Sequence, residues 1–261
     1  TASYDGTAKI WDAVHGILLA DLCGHTFNAA DMTFISPVSD TAAAGAQLVT
    51  TSDDGSLHLW DLATMRVLKT FNGPAEKIFS VRYCRGGQKL LTGTKEGDMT
   101  VWDLPSGRSL RIEHVSDVVI DPTSELDLDE ITLLVKPVLS PDGKLVLSGI
   151  HGATAKMYDA VTGRLLWELK NEKLASLAFV RFSPDGSKVM AGWNYYDNWV
   201  DSTLMNCLVA DAHTGSVLYK MVAEQAEFSP DGNKIIRAAL LKPMQMLDAS
   251  TGKLLYVLSK G

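Results

Sequence analysis

The sequence predicts an all-β chain built from repeated four-stranded antiparallel units. Three observations carry that expectation: a nonapeptide that recurs without gaps, a Ser-Pro-Asp-Gly turn that recurs between its copies, and almost no helical apolar periodicity. The nonapeptide reads YDGTAKIWD at 4–12, DDGSLHLWD at 53–61 and KEGDMTVWD at 95–103. HGATAKMYD at 151–159 follows, with Tyr158 in the Trp position, and looser copies end at Asp211 and Asp248. Six anchors result, at Trp11, Trp60, Trp102, Tyr158, Ala210 and Leu247, about 47 residues apart on average.

Each element of a unit has a local reason. LSPDGKLVLSG from Leu139, FSPDGSKVMAG from Phe182 and FSPDGNKIIRA from Phe228 place a turn between two apolar runs. Proline presets φ at the first turn position and glycine accepts positive φ, whereas proline inside a central strand would remove a ladder donor. The runs on either side are therefore the first two strands, paired antiparallel. An Asp-Gly type turn then leads into the alternating stretch that ends on Trp-Asp, which is the third strand. A last turn, such as AVTG before RLLWELK or ASTG before KLLYVLS, introduces the fourth.

Composition excludes several function classes. The chain has 261 residues, 46% of them hydrophobic, and a formal net charge of −7. That balance argues against nucleic acid as a partner, since phosphate binding needs clustered Lys and Arg. No apolar run approaches the ~18 residues of a membrane span, and the N-terminal residues lack the pattern of a signal peptide. The expected setting is intracellular and cytoplasmic, with the nucleus left open. Cys23, Cys84 and Cys207 are far apart and read as reduced strand residues, and no cofactor or metal site is expected. His15, His58, His114, His151 and His213 fall at turns or alternating strand positions without ligand spacing.

On these motifs the sequence resembles the WD-repeat family, whose units are four-stranded blades of a β-propeller. The resemblance covers essentially the whole chain and is tightest in the first three units. It implies a single propeller domain over residues 1–261, with six units visible of a six- or seven-bladed ring. Residue 1 already falls in a second strand, so the first blade is expected to be incomplete, the chain to be excised from a longer one, and the open blade to invite self-association. The resemblance also implies a buried network of His25, Thr50, Asp54 and Trp60, in which the imidazole links the hydroxyl to the carboxylate and the indole N–H donates to the hydroxyl. The first unit keeps Thr1, Asp5 and Trp11, and the third keeps Thr92 and Trp102. The last two units lose the pattern and are expected to be less regular and held mostly by apolar packing. Hydroxyl, imidazole and carboxylate also describe a nucleophilic triad. The set sits where the fold needs it, so Thr50 is not read as a nucleophile and no catalytic residue is assigned.

Insertions carry the candidate contacts, because they map to loops that do not maintain the core. SPVSDTAAAGA at 36–46 is a small-residue loop. Residues 113–130 carry seven carboxylates, with Asp127, Asp129 and Glu130 at their C-terminal end. WNYYDNWVDS at 193–202 reads as an expanded turn with Trp193, Tyr195, Tyr196 and Trp199. Acids and aromatics on one face would suit a basic segment of a partner. The expected function is a non-catalytic protein–protein interaction scaffold. Two alternatives stand beside it: a regulatory or ligand-sensing module of a larger signalling protein, and an enzyme with a central-channel site.

Overall fold

The protein is described here by a computed structural model covering residues 1–35, 45–73, 77–84, 88–94, 98–112, 135–149, 154–170, 175–195, 206–239 and 242–258, in which every regular element is a β-strand. The chain divides into two compact units, Thr1–His114 and Val115–Gly261.

The first unit opens with a two-stranded sheet, β1 (Thr7–Trp11) and β2 (Leu18–Cys23). Residues 1–3 run beside β1, where Ala2 bridges Ala8 and the Thr1 carbonyl accepts from the Lys9 N–H at 2.7 Å. Two four-stranded antiparallel sheets follow. One is β3 (Ala29–Ile35), β4 (Gln47–Ser52), β5 (Ser56–Asp61) and β6 (Arg66–Asn72). The other is β7 (Ile78–Cys84), β8 (Lys89–Thr94), β9 (Met99–Asp103) and β10 (Ser109–Ile112). Ile35, Val49, Leu57 and Phe71 of the first pack against Ile78, Val81, Leu90 and Trp102 of the second.

The second unit holds three such sheets. Their strands are β11 (Val135–Leu139) to β14 (Leu165–Lys170), β15 (Ala175–Phe182) to β18 (Val217–Val222), and β19 (Gln225–Phe228) to β22 (Leu254–Leu258). The intervening strands are β12 (Leu145–Gly149), β13 (Thr154–Asp159), β16 (Lys188–Tyr195), β17 (Asn206–Asp211), β20 (Lys234–Ala239) and β21 (Lys242–Asp248). Middle strands such as β12, LVLSG, are covered on both faces and carry apolar and hydroxyl side chains there. The outer strands β2, β6, β14 and β18 bury one residue each, Leu22, Phe71, Leu169 and Met221, whereas β22 is exposed throughout. Aromatics on the outer strands tie sheets together: Trp167 Nε1 donates to the Ala212 carbonyl at 3.1 Å, and the Tyr219 hydroxyl to that of Ala249 at 2.9 Å. The expectation of less regular C-terminal units is corrected, since both of the last two sheets are four-stranded like the others, while the expected apolar packing is present in the clusters around Trp193 and Ile235.

Turn chemistry follows the sequence closely. In the Ser-Pro-Asp-Gly turns, Ser140 and Ser183 Oγ donate to Asp142 and Asp185 Oδ1 at 2.6 Å, and Gly143, Gly186 and Gly232 sit at φ near 70°. These contacts satisfy the turn locally, without help from the core. The Asp of every Trp-Asp anchor has a second job that the motif alone did not disclose. Asp12, Asp61, Asp103, Asp159, Asp211 and Asp248 each accept backbone N–H groups two or three residues on, at 2.7–3.1 Å, and so cap the turn into the outer strand. Four residues beyond each Asp the chain adopts positive φ, at Gly16, Met65, Gly107, Gly163, Gly215 and Gly252.

Met65 is the exception, at φ 55° where the other five turns have glycine. A side chain in the left-handed region costs about 1–2 kcal/mol, of which glycine's extra unfolded-state entropy returns about half. Met65→Gly should therefore raise the unfolding free energy by about 0.5–1 kcal/mol, read as a higher urea midpoint with an unchanged slope. A lower midpoint would show that the Met65 side chain packs well enough to outweigh its backbone strain.

Candidate functional site

The four residues singled out in the second unit converge as expected. His25 Nε2 lies 2.7 Å from Thr50 Oγ1, and Trp60 Nε1 donates to the same hydroxyl at 2.9 Å. On the other ring edge, His25 Nδ1 is 3.2 Å from Ser56 Oγ and 3.6 Å from Asp54 Oδ2. Ser56 Oγ in turn donates to Asp54 Oδ1 at 2.6 Å, so the serine shares the link between imidazole and carboxylate. Asp54 Oδ2 also accepts from the N–H and the hydroxyl of Thr26, at 3.0 and 3.2 Å. Burial opposes ionisation of Asp54, but the donors Ser56 and Thr26 outweigh it and hold the carboxyl well below its usual range.

Sequence reasoning missed the residue beneath this chain. His58 stacks on His25 with ring centroids 4.2 Å apart and planes 11° from parallel, and its buried Nδ1 has no hydrogen-bond partner. Gly24 makes room for it: a Cβ there would lie 2.9 Å from His58 Nδ1 and 3.1 Å from the Trp60 ring. Burial, reinforced for His25 by its neighbour His58, holds both imidazoles below their ordinary value. Thr50 has no exposed surface, and the set works as a clasp joining the segment before β3 to β4 and β5. The shorter clasps of the neighbouring sheets keep the indole contact: Trp11 Nε1 donates to Thr1 Oγ1 at 3.2 Å and Trp102 Nε1 to Thr92 Oγ1 at 3.0 Å.

The residues proposed for partner binding fall differently. Trp193 is corrected from loop contact to core: it lies in β16, wholly buried, on the same face as Val189 and Ala191. Tyr195 ends that strand. Tyr196, Trp199, Asp127, Asp129 and Glu130 lie outside the described residues, as do most of the 36–46 loop. Among the described residues no group of His, Cys, Asp and Glu is arranged to hold a metal ion. Cys23, Cys84 and Cys207 form no disulfide and lie in β2, β7 and β17, and burial pushes the Cys207 thiol up to about 12.

Within the second unit, a groove of about 480 Å³ opens between β15 and the β19–β21 strands. Its lining mixes apolar side chains, Phe179, Ile236 and Met244, with Arg181, Glu224 and Arg237. Arg181 Nε donates to Glu227 Oε2 at 3.2 Å, and its guanidinium lies 5.6 Å from the Phe179 ring centre. Arg237 donates twice to Gln245 Oε1, at 3.0 and 2.7 Å, and once to the Val222 carbonyl at 2.9 Å. Glu224 differs, since its Oε1 is buried without a donor.

Comparison with known proteins agrees with this architecture. The family model described as "WD domain, G-beta repeat" matches residues 16–61 and 65–103. These two stretches match WD repeats. Each matched repeat takes the outer strand of one sheet and the three inner strands of the next, β2 with β3–β5 and β6 with β7–β9, so a repeat spans the junction that its clasp closes. Among curated relatives, a "Guanine nucleotide-binding protein subunit beta" of Oryza sativa subsp. indica is 23% identical over 201 residues, 74% of this chain and 50% of that protein. The protein of the same name from Zea mays is 22% identical over 196 residues, covering 74% and 50%. "Autophagy-related protein 16" of Arabidopsis thaliana is 22% identical over 271 aligned positions, 100% of this chain and 47% of that protein. The chain thus spans about half the length of the curated relatives it matches.

Proposed function

We propose that this WD-repeat chain is a non-catalytic protein-interaction scaffold that presents partner-binding loops on a single rigid propeller. The observation that carries the reading is the length of two connections. Second and third strands are joined by two to four residues in four of the sheets, but by ten, 196–205, between β16 and β17. Successive sheets are joined by two to five residues, except for 22, 113–134, between β10 and β11. Antiparallel pairing needs no such length, and these two connections hold the acids Asp127, Asp129 and Glu130 and the aromatics Tyr196 and Trp199. Aromatics bury large area at small entropic cost and dominate binding hot spots, while carboxylates steer a basic segment. Self-association through the first sheet belongs to the same proposal. Trp11 is 45% exposed there, whereas its counterpart Trp60 is 3% exposed.

The test is affinity capture from lysate with the parent chain and two variants, one with Asp127, Asp129 and Glu130 changed to their amides and one with Tyr196 and Trp199 changed to Ala. Both variants should melt as the parent does and lose captured proteins, the aromatic variant more completely and the amide variant chiefly at low salt. Identical captured sets would overturn the assignment of the two connections. Sedimentation of the purified chain reads self-association directly, and a monomer at all concentrations would remove it from the proposal.

A further inference from the structure

We infer that the groove between β15 and β19–β21 is a pocket for a lysine side chain of a partner peptide. The inference rests on the scaffold reading and names the chemistry of one contact. Both guanidiniums at the groove are already engaged: Arg237 by Gln245 and the Val222 carbonyl, Arg181 by Glu227 and by the Val180 carbonyl at 2.9 Å. The carboxylate of Glu224 is different, because one of its oxygens is buried and accepts from nothing. A buried acceptor without a donor is held at a cost, which is recovered when a donor enters and the carboxylate turns towards it. The open acceptor on Glu224 calls for a ligand that brings a donor, and a cationic donor makes the stronger bond to a carboxylate.

The rest of the lining selects which one. Phe179, Ile236 and the half-exposed Met244 offer apolar surface to an aliphatic stem, and Ala178, Ala226 and Ala238 keep the walls low. A lysine buries four methylenes and ends in a compact ammonium with three rotatable donors, which suits a single available carboxylate oxygen. Arginine would ask for a two-oxygen fork and for an open aromatic face, and Arg181 already occupies the Phe179 ring. A groove of about 480 Å³ holds the side chain together with its neighbours on an extended peptide. The chain's net charge of −7 favours approach of such a segment.

The probe is an acetylated, amidated nonapeptide with a central lysine between Val and Leu, titrated into the ¹⁵N-labelled chain and followed by amide shifts. Control peptides carry norleucine or glutamate in place of the lysine. The lysine peptide should move the amides of Phe179, Ala226 and Ile236 and bind at least tenfold more tightly than the norleucine peptide. Glu224→Gln should abolish that preference while leaving the norleucine peptide unchanged, and it should melt no lower than the parent, since the buried oxygen of Glu224 has no donor to lose. Equal binding of lysine and norleucine peptides, or an undiminished preference in Glu224→Gln, would overturn the inference. Tighter binding of the glutamate peptide would also overturn it and reassign the groove to anions through Arg181 and Arg237. The scaffold reading fails separately, because it depends on capture by the 113–134 and 196–205 connections, which Glu224→Gln leaves intact.

Discussion

Trp60→Ala should cost about 3–5 kcal/mol of unfolding free energy, the largest loss expected from any single truncation at a Trp-Asp anchor. The ring is 3% exposed and packs with Ala8, Leu22 and Leu48, so its removal opens a cavity between the β1–β2 sheet and the one that follows. Polar loss adds to apolar loss. The Thr50 hydroxyl, which receives the indole N–H at 2.9 Å and stands 2.7 Å from His25, is left buried with one partner fewer. Trp60→Phe separates the two contributions, since it keeps most of the ring and deletes the donor; about 1–2 kcal/mol should be lost. Trp11→Ala should cost only about 1 kcal/mol, because that side chain is 45% exposed and its bond to Thr1 is solvent-accessible. The measurement is a set of urea midpoints at constant slope. Equal losses at Trp11 and Trp60 would mean that the clasp around His25 contributes nothing beyond the local strand.

The architecture was legible because its signals are local and repeated. Trp11, Trp60, Trp102 and Tyr158 all end or nearly end a third strand, and each Ser-Pro-Asp-Gly joins a first strand to a second. The clasp was legible for a different reason: His25, Thr50, Asp54 and Trp60 stand at positions fixed by the repeat, so the resemblance carries them over together. Trp193 was misread because Asn194, Tyr195 and Tyr196 look like loop chemistry. The period of two running through Val189, Ala191 and Trp193 was the stronger signal, and it continues the strand across the aromatic residues. The capping role of the anchor Asp was also written in the chain, since Asp61, Asp103, Asp159, Asp211 and Asp248 each have Ser or Thr three residues on. No local pattern encodes the groove. Arg181 and Glu227 meet across two sheets from positions 46 apart, and the missing donor at Glu224 is a property of packing that a linear reading does not contain. The same holds for His58, whose stacking on His25 depends on the bare backbone of Gly24.

That stacked pair makes the first unit sensitive to mild acid. Burial keeps the His25 and His58 rings neutral in the folded chain, each below the ordinary value of 6.5. As pH falls through 6.5 the unfolded chain therefore binds protons that the folded chain refuses, and the unfolding free energy declines. Stability from this source is fully present above about pH 7, and each histidine removes up to about 1.4 kcal/mol per pH unit below its unfolded value. Asp54, 3.6 Å from His25 Nδ1, draws that imidazole's value back up, while Ser56 and Thr50 meet its edges and the Trp60 ring lies 5.8 Å from His58. Lys77 sits 3.7 Å from Asp53 on the adjoining turn. The carboxylates act in a separate window. Asp54 and the anchor aspartates Asp12, Asp61, Asp103, Asp211 and Asp248 are held below their ordinary value, so the stability they confer is lost only as pH drops below about 4. Urea midpoints at pH 7.5, 6.5, 5.5 and 5.0 should thus fall before any carboxylate titrates. His58→Phe retains a stacked ring, removes the unpartnered Nδ1 and deletes one of the two titrating groups, so its midpoint at pH 7.5 should match or exceed that of the parent and its decline towards pH 5 should be roughly halved. A flat profile in the parent between pH 7.5 and 5.5, or an undiminished slope in His58→Phe, would show that the pair is solvated enough to protonate in place.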